Sequence, residues 1–213
     1  MDALGDAPPS AGLKLPALRS VLWFGARFAC ALAVLLAPWP RLGQAYSASA
    51  TELGNALLSW VESSRAQLAF AQSDSTAFST VLHAQLLRTG RELQIPIELR
   101  TLAFIPTAAL FALVFADAWR RPLRRTALLL VLSALVLETF LLVSLIVPIC
   151  LFFADPQPMQ LFQMDPTLHM ILTIFYRSVV SPPGMIYAIP FAVWLLMSGL
   201  LSRTLDARAS TDR

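Results

Sequence analysis

Between Thr126 and Phe153 the chain reads TALLLVLSALVLETFLLVSLIVPICLFF, 28 residues whose single charge is Glu138. A hydrocarbon layer about 30 Å thick is crossed by about 20 apolar helical residues. This run is therefore too long for one upright crossing and too short for two, so it must tilt, kink at Pro148 or project its far end beyond the lipid. Three shorter apolar runs accompany it, beginning at Val21, Thr101 and Met185. The pattern predicts an α-helical integral membrane protein with four transmembrane helices, at 21–38, 101–119, 126–153 and 185–202. Residues 39–100 are left over between the first two, enough for a small α+β external domain.

Composition agrees. The chain is 57% hydrophobic and 14% charged, where soluble domains carry roughly a quarter charged residues. Thirteen acids and sixteen bases cannot solvate the surface of a soluble enzyme, a nucleic-acid binder or a disordered adaptor. The basic balance instead records orientation, because Lys and Arg are retained in cytoplasmic loops. Arg120, Arg121, Arg124 and Arg125 crowd the turn 120–125, whereas the loop 154–184 holds only Arg177. The turn is thus expected inside, with the tails 1–20 and 203–213, while 39–100 and 154–184 face outward. Trp23 and Trp119 then fall near the inner interface, and Trp39 and Tyr187 near the outer one. A competing reading takes residues 1–50 as a signal peptide cleaved after Ala48-Ser49-Ala50.

The outward segments have their own periodicities. From Leu42 to Trp60, apolar residues at Leu42, Tyr46, Leu53, Leu57 and Leu58 recur at helical spacing and predict an amphipathic surface helix. Alternation then marks Leu68 and Phe70, Val81 and Gln85, and Leu93, Ile95, Ile97 and Leu99. Turn-like Ser73-Asp74-Ser75-Thr76 and Arg88-Thr89-Gly90-Arg91 separate these runs, predicting a small antiparallel sheet. Pro96 lacks a ladder donor, so its strand belongs at an edge or is broken there. In the second segment, Asp165-Pro166 reads as an N-cap with proline at the first helical position, opening a short interfacial or re-entrant helix with Leu168, Ile171, Leu172, Phe175 and Val179 on one face.

Few residues offer chemistry. Glu138 lies about 18 Å into its span at about 1.5 Å per residue, and a carboxylate there is costly enough to need a partner. Arg27, in the first span, is the expected partner in an intramembrane ion pair, with Ser133 or Ser144 as hydrogen-bonding alternatives. Cys150, His169 and Arg177 fall toward the outer side and form the one candidate set for cysteine-nucleophile catalysis; helix packing for Cys150 and an interfacial place for His169 are the plainer readings. Arg120, Arg121, Arg124 and Arg125 could meet lipid head groups. Cys30 and Cys150 sit in apolar runs and read as small hydrophobes. No metal-ligand spacing surrounds His83, and no phosphate or dinucleotide loop is present, so no cofactor is expected. Pro106, Pro148 and Pro190 should kink their helices, and the stripes Gly25/Ala29/Ala33 and Ala108/Ala112/Ala116 offer close-approach faces.

The stretch APWPRLGQAYSASATELGNALLSW, with IPIELRTLAFIPTAALFALVFA from Ile95 to Ala116, resembles small bacterial membrane proteins associated with exosortase-type sorting systems. Exosortases themselves order their residues Cys, Arg, His, whereas this chain has Cys150, His169, Arg177 and fewer spans. The resemblance implies an accessory inner-membrane protein of an envelope sorting or exopolysaccharide-type system, with the lipid bilayer and other membrane proteins as partners. The expectation is a non-enzymatic scaffold; the alternative is a membrane enzyme or transporter subunit using Glu138 or Cys150.

Overall fold

Proline and glycine divide the apolar sequence into helices. In the computed structural model, which describes residues 15–59, 66–73, 80–86, 92–119, 121–155, 160, 162–182 and 184–211, α1 (Leu15–Leu36) ends at the Ala37-Pro38 turn and α2 (Trp39–Leu58) begins at once. The residue before a proline is pushed out of the helical region, so the break falls where it does. Strands β1 (Ala66–Gln72), β2 (Thr80–Leu86) and β3 (Glu92–Ile97) follow. A π-helical turn, Arg100–Phe104, leads into α3 (Ile105–Ala118). Pro106 stands at the start of α3, where its missing N–H removes little, and the expected kink within a span becomes a change of helix type. Pro148 and Pro190 lie inside α4 (Leu123–Ala154) and α6 (Met185–Thr211). Between these two, α5 (Pro166–Phe175) is capped by Asp165, whose Oδ1 accepts from the N–H groups of Thr167 and Leu168 at 2.9 and 3.2 Å.

Three helical windows, Arg19–Leu36, Arg100–Ala118 and Leu123–Ala154, are long and apolar enough to cross a membrane. A fourth arises if Pro166–Val180 and Met185–Leu201, bent by 86°, form one broken span. At their centre is α3, packed against α1, α4 and α6. Ala108, Ala112 and Ala116 are buried as the small-residue stripe requires. Gly25, Ala29 and Ala33 on α1 are exposed instead, and a Cβ at Gly25 would meet nothing within 4 Å. Helix α1 is seated by bulk: Phe24 lies 5.6 Å from Trp194 and Phe28 5.8 Å from Phe191, centroid to centroid. Away from α3 the surface is apolar, with Leu128, Val131 and Leu135 of α4 and Leu195 and Leu196 of α6 exposed.

The strands form one antiparallel sheet in the order β1-β2-β3, with Leu82 opposite both Phe70 and Ile95. One face carries Leu68, Phe70, Leu82, Ala84 and Ile97 against Leu58 of α2 and Ile149 and Phe153 of α4. Here the surplus length of the 28-residue run is used: its last two turns are the floor of the sheet. A sheet this small could not stand alone. In β2 the buried set is Thr80, Leu82 and Ala84, not Val81 and Gln85; two apolar residues of opposite parity, Val81 and Leu82, left the register ambiguous, and cross-strand pairing with Phe70 and Ile95 decides it. Both expected turns lie wholly or partly outside the described residues.

Helix α2 meets the sheet through Leu58, with Tyr46 packed alongside, and through small residues, whereas Leu42 and Leu53 are exposed. It runs unbroken through Ala48-Ser49-Ala50. A Cβ on Gly54 would fall 2.5 Å from the Phe70 ring, so the helix approaches β1 as closely as glycine permits. Next to it, Asn55 Nδ2 donates to the Phe70 carbonyl at 3.0 Å and Asn55 Oδ1 accepts from the Phe70 N–H at 2.6 Å. A buried contact between the Ser47 and Thr80 hydroxyls, 3.0 Å, ties the same helix to β2. We expect Gly54→Ala to destabilise the sheet, because an overpacking cost of about 1–3 kcal/mol exceeds the gain of about 1 kcal/mol in helix propensity. Limited proteolysis should show faster cleavage in Gly54→Ala, and Phe70→Leu in the same chain should restore part of the protection.

Candidate functional site

Glu138 is the residue to build from, and its partner is not Arg27. Its Oε1 lies 2.9 Å from Thr107 Oγ1 on α3, and the Tyr46 phenol on α2 is near enough to feel both the Glu138 charge and the Thr107 hydroxyl. Thr107 Oγ1 is also 2.9 Å from the Ala103 carbonyl one turn earlier, a shared contact common for helical threonine. Three helices thus converge on one hydroxyl. Burial is the larger cause, and the Glu138 charge the second, that raises the Tyr46 phenol to about 12. Ser133 and Ser144 contribute nothing to Glu138: both hydroxyls are buried without a hydrogen-bond partner among the described residues.

Arg27 is elsewhere. Its guanidinium lies over the Trp119 ring, 5.2 Å from the centroid, in a cavity shared with Ala116 and Asp117 at the end of α3. Thr107 precedes Asp117 by ten residues on that helix, about 15 Å at 1.5 Å per residue, which is beyond an arginine's reach. Measuring depth from the start of each apolar run misplaced the pair. Thr107 was legible by another count: α3 and α4 are joined by a short turn, so residues roughly equidistant from it face each other.

Glu138 lines a cavity of about 590 Å³ between the sheet, α2, α4 and the bend before α6. Its wall is mainly apolar, from Leu53, Phe70, Ile97 and Leu145, with Tyr176 and Pro182 of the bend closing one side. An aromatic group, Trp39, Tyr46 and Phe104, with Trp39 and Phe104 centroids 4.5 Å apart, fixes α2 against the π-helical turn. Such a chamber suits an apolar chain carrying one hydrogen-bond donor toward the carboxylate.

The cysteine constellation does not assemble. His169 Nε2 faces Asp155 Oδ1 at 3.5 Å, Cys150 is a partly buried free thiol, and Arg177 is exposed in the π-helical turn after α5. Among the described residues no hydrogen bond or ion pair joins any two of the three. Of the arginine turn, Arg121 pairs with Asp117 at 2.7 Å, Arg124 and Arg125 are exposed, and Arg120 lies outside the described residues. No group of three metal-ligating side chains occurs among the described residues. On the outer face of the sheet, His83 Nδ1 meets Glu92 Oε1 at 3.0 Å, and that hydrogen bond, with a second from Gln94, holds the Glu92 carboxyl below its ordinary range.

The edges of the sheet differ. Phe70 gives its N–H and C=O to Asn55, so Phe70↔Leu82 is a non-hydrogen-bonded pair and Asn55 closes the β1 edge. Alternation turns Leu82 toward β3, makes Leu82↔Ile95 the bonded pair, and points the main chain of Gln94 and Pro96 outward. Strand β3 is an edge, as Pro96 requires, and the missing donor lies on its open side. No family model, curated protein or solved structure matches the chain.

The Tyr46 shift has a fixed sign: a phenol ionising near 10 when unfolded and near 12 when folded adds stability below pH 10, lost as pH rises from 10 to 12. Ultraviolet titration of the folded protein should therefore show one phenol ionising last, absent in Tyr46→Phe. Glu138→Gln should move that step only part of the way back toward 10, since burial outweighs the charge.

Proposed function

We propose that the chain is a polytopic inner-membrane protein of non-enzymatic, accessory type, which holds a small outward-facing α/β lobe against its membrane helices and offers the β3 edge to a partner protein. The arginine-rich turn and both tails lie in the cytoplasm in this reading, and α5 lies along the outer interface before the chain turns by 86° into α6. The observation that carries it is the asymmetry of the sheet. On the β1 edge the main chain of Phe70 is taken by Asn55 and the strand is packed against α2, whereas the other edge presents the main chain of Glu92 and Gln94 and the carbonyl of Pro96 beside polar outward side chains. Unpaired edges are templates for an added strand. The resemblance around Ala37–Trp60 and Ile95–Ala116 supports an envelope protein-sorting system as the setting. A second reading, in which the Glu138 cavity receives the apolar chain of a transported or presented amphiphile, is favoured by its size of about 590 Å³ and its single carboxylate.

The edge reading is tested by Gln94→Pro. Its N–H points away from the sheet, so the substitution should leave the lobe folded, with protease resistance unchanged, while removing a donor that an added strand must use. A photo-crosslinker at residue 92 of the intact protein in its native membrane should capture a partner, and Gln94→Pro should abolish the adduct. Undiminished capture excludes strand addition at this edge. Ile95→Pro, which removes an inward donor, should unfold the lobe and serves as the contrast.

A further inference from the structure

The cavity around Arg27 is separate from the Glu138 chamber and unexplained by partner binding through β3. About 420 Å³ in volume, it lies between α1 and the end of α3, with Arg19, Trp23, Arg27, Asp117 and Trp119 on its wall. Arg27 is half-buried, inside a helical window apolar enough to cross a membrane. A guanidinium in such surroundings needs an anion or water. Its recorded contact is the Trp119 ring, which supplies a quadrupole but no charge, and no carboxylate lies within ion-pair distance of it among the described residues. Among the described residues the one acid on the wall, Asp117, is already paired with Arg121 at 2.7 Å. Arg19 and Arg27 therefore face the cavity with positive charge in excess.

We infer that this cavity is a binding site for a phosphate oxyanion, supplied by the head group of an anionic phospholipid. The planar fork of Arg27 donates two hydrogen bonds to one phosphate, while Trp119 behind it fixes the plane of the fork. Arg19, two turns earlier on α1, adds a second charge at the mouth. A soluble phosphate would satisfy the arginines equally well. The lipid source is favoured by what adjoins them: Val21 and Leu22 of α1 are 65% and 64% exposed, and Trp23 and Trp119 are 57% and 82% exposed, a strip of apolar and amphipathic surface along which acyl chains can lie. Placement of this site at the lipid head groups rests on the membrane reading above; the unpaired charge of Arg27 does not.

The test is native mass spectrometry of the intact protein released from mixed micelles holding equal phosphatidylglycerol and phosphatidylcholine, with thermal melting of each variant alongside. One phosphatidylglycerol should be retained in preference to phosphatidylcholine. Arg27→Gln should weaken that retention about tenfold or more, as expected for one charge-assisted pair. Arg27→Lys keeps the charge, and with it the fold should Arg27→Gln fail to melt cooperatively, but loses the fork and should fall between. Arg124→Gln, exposed and off the cavity wall, should match the unsubstituted chain. Millimolar inorganic phosphate separates the sources: lipid retained in its presence identifies the head group, whereas Arg27-dependent phosphate binding without lipid preference keeps the oxyanion site and overturns the lipid assignment. Equal retention of both lipids with no phosphate binding, or a preference unchanged in both Arg27 variants, overturns the site itself.

Discussion

A carboxylate set into an apolar helix wall has to be answered by a donor from a neighbouring element, and the answer given to Glu138 organises the molecule. Thr107 provides the donor and Tyr46 stands behind it. Because Thr107 and Glu138 come from α3 and α4, with Tyr46 of α2 beside them, this one hydrogen bond registers the buried hub helix against the longest helix next to the lobe. Charge in this position stabilises little by itself, since desolvation offsets most of the attraction. What it does is discriminate: a slip of one turn along α3 or α4 would leave Glu138 facing carbon, at a cost of several kcal/mol.

The lobe follows from that registration. With α2 held at Tyr46, its next turns lie over the sheet, and the small residues Ser47, Ala50 and Gly54 let the helix sink onto the strands until Gly54 touches Phe70. Only at that separation can Asn55 reach the Phe70 main chain on both sides. The same amide that completes the fold on one side leaves the opposite edge as the accessible one. Ile149 and Phe153, extending from α4 beneath the sheet, supply apolar area that three strands could not provide among themselves.

Much of this was legible in the sequence because the bilayer criterion is coarse and strong. The apolar runs, a small antiparallel sheet of two or three strands and the Asp165 cap follow from length, period and backbone chemistry, and of the two places open to Pro96, an edge or a break, the structure takes the edge. What was not legible depended on tertiary distance. Of the expected α2 face, Leu58 and Tyr46 do pack toward the core while Leu42 and Leu53 do not; close approach to Phe70 selects glycine between them, and hydrophobic patterning does not weigh a glycine contact. The parity of β2 is set by Phe70 and Ile95 across the strands, while Val81 and Leu82 read equally well alone. Arg27 and Glu138 were joined by the expectation that opposite charges in lipid find each other, yet α1 and α4 place them at different depths, and a hydroxyl on the intervening helix was nearer. His169 took Asp155 in place of Cys150 for a similar reason, the acid lying at the end of the helix that carries the thiol.

Separating Arg27 from Glu138 has a consequence for how the molecule is polarised. At the sheet end, Glu138 sits with hydroxyls beside a mainly apolar chamber; at the arginine end, Arg19 and Arg27 face a smaller cavity whose one acid is already paired. Had the two charges met, they would have cancelled within the bundle and neither cavity would carry a sign. Held apart by the length of α3 between Thr107 and Asp117, each keeps its own sign: a carboxylate beside the apolar chamber, and two arginines on the wall of the other. Helix α3, buried on the faces that meet α1, α4 and α6, spans the distance between them: Thr107 holds Glu138 near one end, and Ala116 and Asp117 line the basic cavity at the other.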